Sequence, residues 1–300
     1  MNILFMVKEF PHSRVIGGPI IIYNRVKYLS VNHKVSVIAF TPYQPTPEQV
    51  ESLARYCYEL RLVQPPPHRS RWRRAYDFLA GPVPPYFMLG YSDKMYEGIR
   101  DMVARLNYHV AVSEYSMVAQ YLYRNPDLAG IKRVMSVHEC YYLARRKALK
   151  VQGFSRNGLQ ALVHLKGLRK FEFEMYADSD RVLTLTPEGR DELLSIRPDL
   201  DISVVPHGVD VESFHPGERG DGPPTVVFLG NYLHDPNRDA VVYFARDAWP
   251  AVRSRVPGAR FLVVGRGPTG DMMQLAREDP SIEITGQVED VRPYLWEGDV

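Results

Sequence analysis

The stretch VVPHGVDVESFHP, Val204 to Pro216, lies between two short apolar runs, ISVV before it and TVVFLG after it. Pro206 cannot continue a strand ladder, because it has no N–H to donate. Gly208 offers a positive φ for a sharp change of direction. Asp210 is placed to cap a one-turn helix, with Glu212 near its positive end and Phe214 packing back beneath it. The polar, glycine- and proline-rich GERGDGPP comes next. A stiff connector between two strand-forming runs predicts a hinge over 207–222. It would join an N-terminal domain of residues 1–206 to a C-terminal domain over 223–300.

Upstream of the connector, NILFMV, KVSVIAF, YELRLV, HVAVS, RVMSVH and RVLTLT are short, rich in β-branched residues and not strictly alternating. That is the pattern of strands covered on both faces. Helical stretches separate them, among them PIIIYNRVKYLS, PEQVESLARY and 158–177. Downstream the rhythm restarts with TVVFLG, RFLVVG and IEIT, interleaved with helical stretches over 236–254, 270–277 and VRPYLWE. A βαβ series of this kind predicts the α/β class, with two doubly wound parallel-sheet domains. From Thr225 to Val300 there is room for about half of such a domain on the usual size range, and WEGDV stands where a further strand should begin. The expectation is a chain truncated within its second domain.

Length alone suggests roughly two domains. Basic and acidic side chains nearly balance, 37 against 35, so nothing in the overall charge points to nucleic acid. The two cysteines, Cys57 and Cys140, are far apart and lack metal-ligand spacing, which fits neither a disulfide framework nor a zinc site and agrees with a reducing compartment. NILFMV is too short for a secretory core or a membrane span. A soluble, cytoplasmic protein is expected.

Several turns fall where open α/β sheets place ligands, beyond the carboxyl ends of strands. Gly17 and Gly18 lie between the first strand and the first helix, with Pro19 suited to the first helical turn. A small-residue helix start leaves N–H groups open to an anion or a hydroxyl, although an ordinary βα turn looks the same. The pattern is not GxGxxG and no suitably spaced acidic residue follows, which disfavours a dinucleotide-dependent dehydrogenase. His138, after VMSV, is able to meet a substrate hydroxyl or phosphate, with Glu139 orienting it or capping the next helix; a packed loop histidine fits equally. In the second half, Gly230 closes the first strand. Arg266, in VVGRGP, is placed for a phosphate or base, and a flat base could lie against Gly286 and Val288.

VVPHGVDVESFHP, VVFLGNYLHDPNRDAVVYF, RVPGARFLVVGRGP and IEITGQVEDVRPYL, taken in order, resemble glycosyltransferase family 4. The likeness spans the chain and is strongest from Ser179 to Val300. It implies the GT-B fold, two Rossmann-like domains, and a hexosyltransferase-type enzyme of polysaccharide biosynthesis. The reaction implied is a retaining, metal-independent transfer from a nucleotide-sugar donor to a saccharide or lipid-linked acceptor, in the cleft between the domains, with no cofactor. Carried over, His138 becomes the candidate catalytic residue that meets the donor sugar. Gly17, Gly18, Gly230, Arg266 and Val288 become donor-binding positions, and His207 and Gly208 line the hinge and cleft. Many members place an arginine just after the Gly230 position and a lysine further on; here Asn231 and, as a substitute, Arg238 stand there. The family's spaced pair of glutamates is absent up to Val300, so the 300-residue segment by itself is expected to be nearly inactive.

PPPHRSRWRRAYDFLAGPVPPYF packs Arg69, Arg71, Arg73 and Arg74 around Trp72, with Tyr76, Phe78, Tyr86 and Phe87 after it. Basic residues among aromatics suit peripheral contact with an anionic membrane at its inner face; on the plainer reading they are a solvated helix start with core aromatics. Two other functions stay open on the sequence. One is a nucleotide-sugar epimerase of the same fold, resting on His138 and Glu139. The other is a non-catalytic nucleotide-sugar or partner-binding module.

Overall fold

The computed structural model describes residues 1–12, 18–67, 70, 83–152, 158–212, 214–218 and 220–300, with the side chains of 150–163 outside the description. It divides into two compact units, Met1–Gly208 and Val209–Val300.

The first unit runs β1 (Asn2–Val7), α1 (Gly18–Leu29), β2 (Lys34–Phe40), α2 (Pro47–Ala54), β3 (Glu59–Val63), α3 (Asp93–Arg105), β4 (Val110–Glu114), the single turn α4 (Ser116–Ala119) and β5 (Lys132–Val137). It continues with α5 (Tyr141–Gln152), α6 (Gly158–Asp178), β6 (Arg181–Thr184), α7 (Pro187–Leu194) and β7 (Ile202–Val204). Among the described residues the strands form one seven-stranded sheet, ordered β3-β2-β1-β4-β5-β6-β7, with every pair parallel. Strand order reverses between β1 and β4, which creates the crevice where such sheets take ligands. The inner strands explain their lack of alternation: Leu4, Met6 and Ile38 pack under one face, and Phe5, Val7, Val35 and Val37 under the other. Helix starts are set locally where the sequence carries a cap. Thr46 and Gln49 form a reciprocal box at α2, and Thr186 Oγ1 accepts from Gly189 N at 3.0 Å at α7.

The second unit runs β8 (Thr225–Leu229), α8 (Asp235–Tyr243), a π-turn (Phe244–Ala248), α9 (Trp249–Arg255), β9 (Arg260–Val264), α10 (Gly270–Glu278), β10 (Ile282–Gly286) and α11 (Arg292–Glu297). The three strands form a parallel sheet, ordered β10-β9-β8. Its core gathers Trp249, Phe261, Val263 and Met272. The π-turn sits just before Pro250, whose missing N–H interrupts the regular ladder. At the open edge of β8, Val227 N donates to Val300 O and Asp299 N to Thr225 O, both at 2.8 Å.

The connector departs from its sequence reading in three respects. Pro206 does end the strand, two residues after Val204. Gly208, however, has no positive φ. Residues 211 and 212 form a turn rather than a helix, held by Glu212 N to Asp210 Oδ1 at 3.2 Å and Phe214 N to Asp210 O at 2.8 Å. An Asx-type turn meets the backbone's needs without a helical residue. Phe214 is 42% exposed instead of packing beneath the turn.

Candidate functional site

In the first unit a polar cluster is assembled at the switch point from three elements. Glu114, the last residue of β4, stands opposite Val7 of β1 and Ser136 of β5. It is wholly buried. Arg25 comes from the second turn of α1, between the buried Ile22 and Val26. Its Nη1 donates to Glu114 Oε1 at 2.7 Å, to Oε2 at 2.9 Å and to Ser136 Oγ at 2.8 Å. His138 follows β5, only 7% exposed at its side chain, with Nε2 2.8 Å from Glu114 Oε2. Burial alone would raise the Glu114 carboxyl above its ordinary range. The His138 hydrogen bond and the Arg25 charge outweigh it and hold the group below.

Tyr115, next after Glu114, has φ +77° and ψ 144°, a backbone conformation costly for a residue with a side chain. That geometry lays its ring on His138, with centroids 4.1 Å apart and planes at 29°. The Lys8 ammonium lies 5.6 Å from the Tyr115 ring centroid, and the His207 ring is 5.5 Å from that of His138. Burial, then Glu9 and Glu114, push the Tyr115 phenol up to about 12. Gly18 opens α1 directly against Tyr115. Gly17 lies outside the described residues.

The backbone beyond His138 is anchored separately. Glu172 of α6, fully buried, accepts from Tyr141 N at 3.0 Å and Tyr142 N at 2.8 Å, and so caps α5 from a distance. Tyr176 Oη also donates to it, at 2.7 Å. Burial holds the Glu172 carboxyl above its ordinary range, against those hydrogen bonds. Glu139 is exposed and its carbonyl accepts from Ser116 Oγ at 3.3 Å; the α5 cap is Glu172. Beside His138 lies a cavity of about 320 Å³, lined by Val137, Leu143, Leu185 and Leu193, with Thr186 and Lys147 also lining it.

In the second unit, Gly230, Asn231 and Arg266 cluster at the carboxyl ends of β8 and β9. Gly265, at φ +141°, presses on the Gly230 backbone: a Cβ there would lie 1.8 Å from Gly230 O. Tyr232 N donates to Arg266 O at 2.8 Å, tying the two loops together. Asn231 is exposed, and its Oδ1 accepts from Leu233 N at 3.2 Å. Arg238, near the start of α8, binds Asp271 Oδ2 of α10 through Nε at 3.0 Å and Nη2 at 2.8 Å. Hydrogen bonds from Thr269 and Arg238 bring Asp271 down to about 2. Arg266 is exposed and Val288 half-buried, just beyond β10.

Sequence reasoning singled out His138 and missed its partners Glu114, Arg25 and Tyr115. Two signals were present: an acidic residue ending an apolar strand in VSEYS, and an arginine interrupting the apolar face of IIIYNRV. Among the described residues no three His, Cys, Asp or Glu side chains are grouped to hold a metal ion, and no helix is long and apolar enough to cross a membrane. In the basic stretch, Arg69 and residues 71–78 lie outside the described residues. Tyr86 and Phe87 are packed inward, Tyr86 against Tyr141 at 4.7 Å and Phe87 against Phe171 at 5.0 Å.

Comparison with known proteins bears on this arrangement. The phosphatidyl-myo-inositol mannosyltransferase of Mycobacterium tuberculosis is 38% identical over 95 residues, 30% of this chain and 24% of that protein. That of Mycolicibacterium smegmatis is 36% identical over 95 residues, again 30% and 24%. The match thus spans about a quarter of the length of these curated relatives. Sucrose-phosphate synthase from Thermosynechococcus elongatus superposes with a TM-score of 0.62 at 14% identity, covering 100% of this chain and 74% of that one. HepE of Anabaena, in complex with UDP, does so at 0.59 and 12% identity, covering 100% and 72%. At such identities the likeness is one of fold, and the two parallel-sheet units match the GT-B architecture. The family described as Glycosyl transferases group 1 matches residues 223–300, and the one described as Glycosyltransferase Family 4 matches residues 17–213. The chain belongs to glycosyltransferase family 4.

Proposed function

We propose that this polypeptide is a glycosyltransferase that moves a hexosyl group from a nucleotide-sugar donor to a saccharide or lipid-linked acceptor. The observation that carries the reading is His138, held by Glu114 at the carboxyl end of β5 within a stretch that matches the family. His138 meets the donor sugar. The loops after β8 and β9 take the nucleotide, with Arg266 and the Gly230–Asn231 backbone on the diphosphate side and Val288 towards the base. Negative charge develops on the leaving diphosphate as the glycosidic bond breaks, and fixed donors aimed at it lower the barrier. Transfer with retention and without a metal ion is proposed from the family resemblance. A lipid-linked acceptor accords with the name of the mycobacterial relatives, which act on phosphatidyl-myo-inositol.

Calorimetry of the 300-residue chain with UDP, GDP, UDP-glucose and GDP-mannose tests the reading. One nucleotide and its sugar conjugate should bind. His138→Ala should weaken the conjugate by about tenfold, the worth of a strong hydrogen bond, and leave the free nucleotide unaffected. Binding of none of the four, with the sheet still folded by circular dichroism, would overturn the donor site proposed for this segment.

A further inference from the structure

We propose that Glu114, backed by Arg25, is a positioning residue that fixes His138 in the tautomer protonated at Nε2, leaving Nδ1 as a bare acceptor. The argument is one of donors and acceptors. An ionised carboxylate accepts only, and Glu114 is wholly buried with Arg25 Nη1 on both oxygens. The 2.8 Å contact from Oε2 to His138 Nε2 therefore requires the hydrogen to sit on Nε2. A neutral imidazole carries one N–H, so Nδ1 has none. Turning the ring over would set a C–H against the buried charge and forfeit that bond. Tyr115 holds the plane from one side, 4.1 Å away at 29°. Ser136 Oγ, across the strand pair from Glu114, takes a further bond from Arg25 at 2.8 Å and fixes the guanidinium in turn.

Three elements that are distant in sequence thus set which nitrogen of one imidazole faces a ligand. Arg25 is separated from Glu114 by 89 positions and Glu114 from His138 by 24. The consequence rests on the function proposed above: a ligand group that meets Nδ1 must bring the proton itself, as a sugar hydroxyl does and an ionised phosphate oxygen does not. Glu114 and Arg25 touch no ligand in this scheme; they act through His138.

The test is two-bond proton–nitrogen correlation NMR on the chain labelled at histidine nitrogens. The His138 signal among the nine histidines is assigned by its loss in His138→Gln. The neutral imidazole of the wild type should show Nε2 protonated and Nδ1 bare. A signal from the opposite tautomer would overturn the proposal. Glu114→Gln offers both a donor and an acceptor, so it should give a mixture of tautomers; an unchanged spectrum in that variant also overturns it. If the variant does not fold, the wild-type spectrum decides alone. UDP-glucose or GDP-mannose should then shift Nδ1, and UDP or GDP should not. A shift with the free nucleotide sinks the hydroxyl assignment. No shift with any of the four sinks the donor-sugar reading while the tautomer result stands.

Discussion

Gly18 and Tyr115 interlock: a Cβ built on Gly18 would lie 1.4 Å from the Tyr115 hydroxyl and 2.7 Å from its Cζ. Tyr115 has little room to yield, because its ring stacks on His138 and its backbone is already at φ +77°. Gly18→Ala should therefore cost about 1–3 kcal/mol, as overpacking of a tight site does, and push the ring off His138. Adding Tyr115→Phe removes the worst clash and should restore part of the loss. Urea unfolding of the single and double variants checks this, and equal stabilities for Gly18→Ala and the wild type would contradict it.

Glu114 and Glu172 should make stability depend on pH in opposite senses. Glu114 is held below its unfolded value of about 4.3, so its contribution is complete above that pH and is lost as the solution is acidified through its folded value. Glu172 is held above that value, so the wild type loses stability as pH rises from about 4.3 through the raised folded value. Glu172→Gln removes the titration. It keeps an acceptor for only one of the Tyr141 and Tyr142 amides, which bond different oxygens of Glu172, so it also carries a pH-independent loss. The stability of this variant relative to wild type should climb with pH across that window. A difference that is flat with pH would show that Glu172 is not the group responsible.

Gly265→Ala should damage the second unit. The new methyl would meet Gly230 O at 1.8 Å, at a φ of +141° that side-chain-bearing residues avoid. A loss of about 3 kcal/mol is expected from the strain and the clash together. Gly258→Ala, also at positive φ but with nothing within 4 Å, isolates the conformational share and should cost less. Thermal melts that rank the two the other way would refute the backbone contact.

Asp271 restrains Arg238, which stands in for the lysine that many members of the family carry in the donor domain. Arg238 gives two hydrogen bonds to one Asp271 oxygen, and the pair is partly open to solvent, so it adds little to stability. Asp271→Asn should leave the unfolding midpoint nearly unchanged and tighten nucleotide binding a few-fold by releasing Arg238. Unchanged affinity would remove Arg238 from the donor site.

The strands could be read from the sequence almost to the residue, because buried parallel strands leave compact β-branched runs such as KVSVIAF, bounded by turns. His138 was legible for the same reason: it follows such a run directly. What gives His138 its chemistry was not. Arg25 and Glu114 look like a helix cation and a strand-end anion until the fold brings them to 2.7 Å, and no local pattern encodes that pairing. The conformation of Tyr115 was hidden too, since its neighbours offer no turn residue that announces a positive φ. At the connector, local chemistry misled. Asp210 and Gly208 suit a capped helix and a left-handed turn, but an Asx turn satisfies the same groups.

Glu172 reaches across from α6 to close the start of α5, and that has a practical corollary for anyone recombining this protein with its relatives. A chimera that exchanges the segment after β5 without the matching part of α6 would strand two amides and a carboxylate. Swap boundaries are better drawn to keep Cys140–Tyr142 and Glu172 from the same parent.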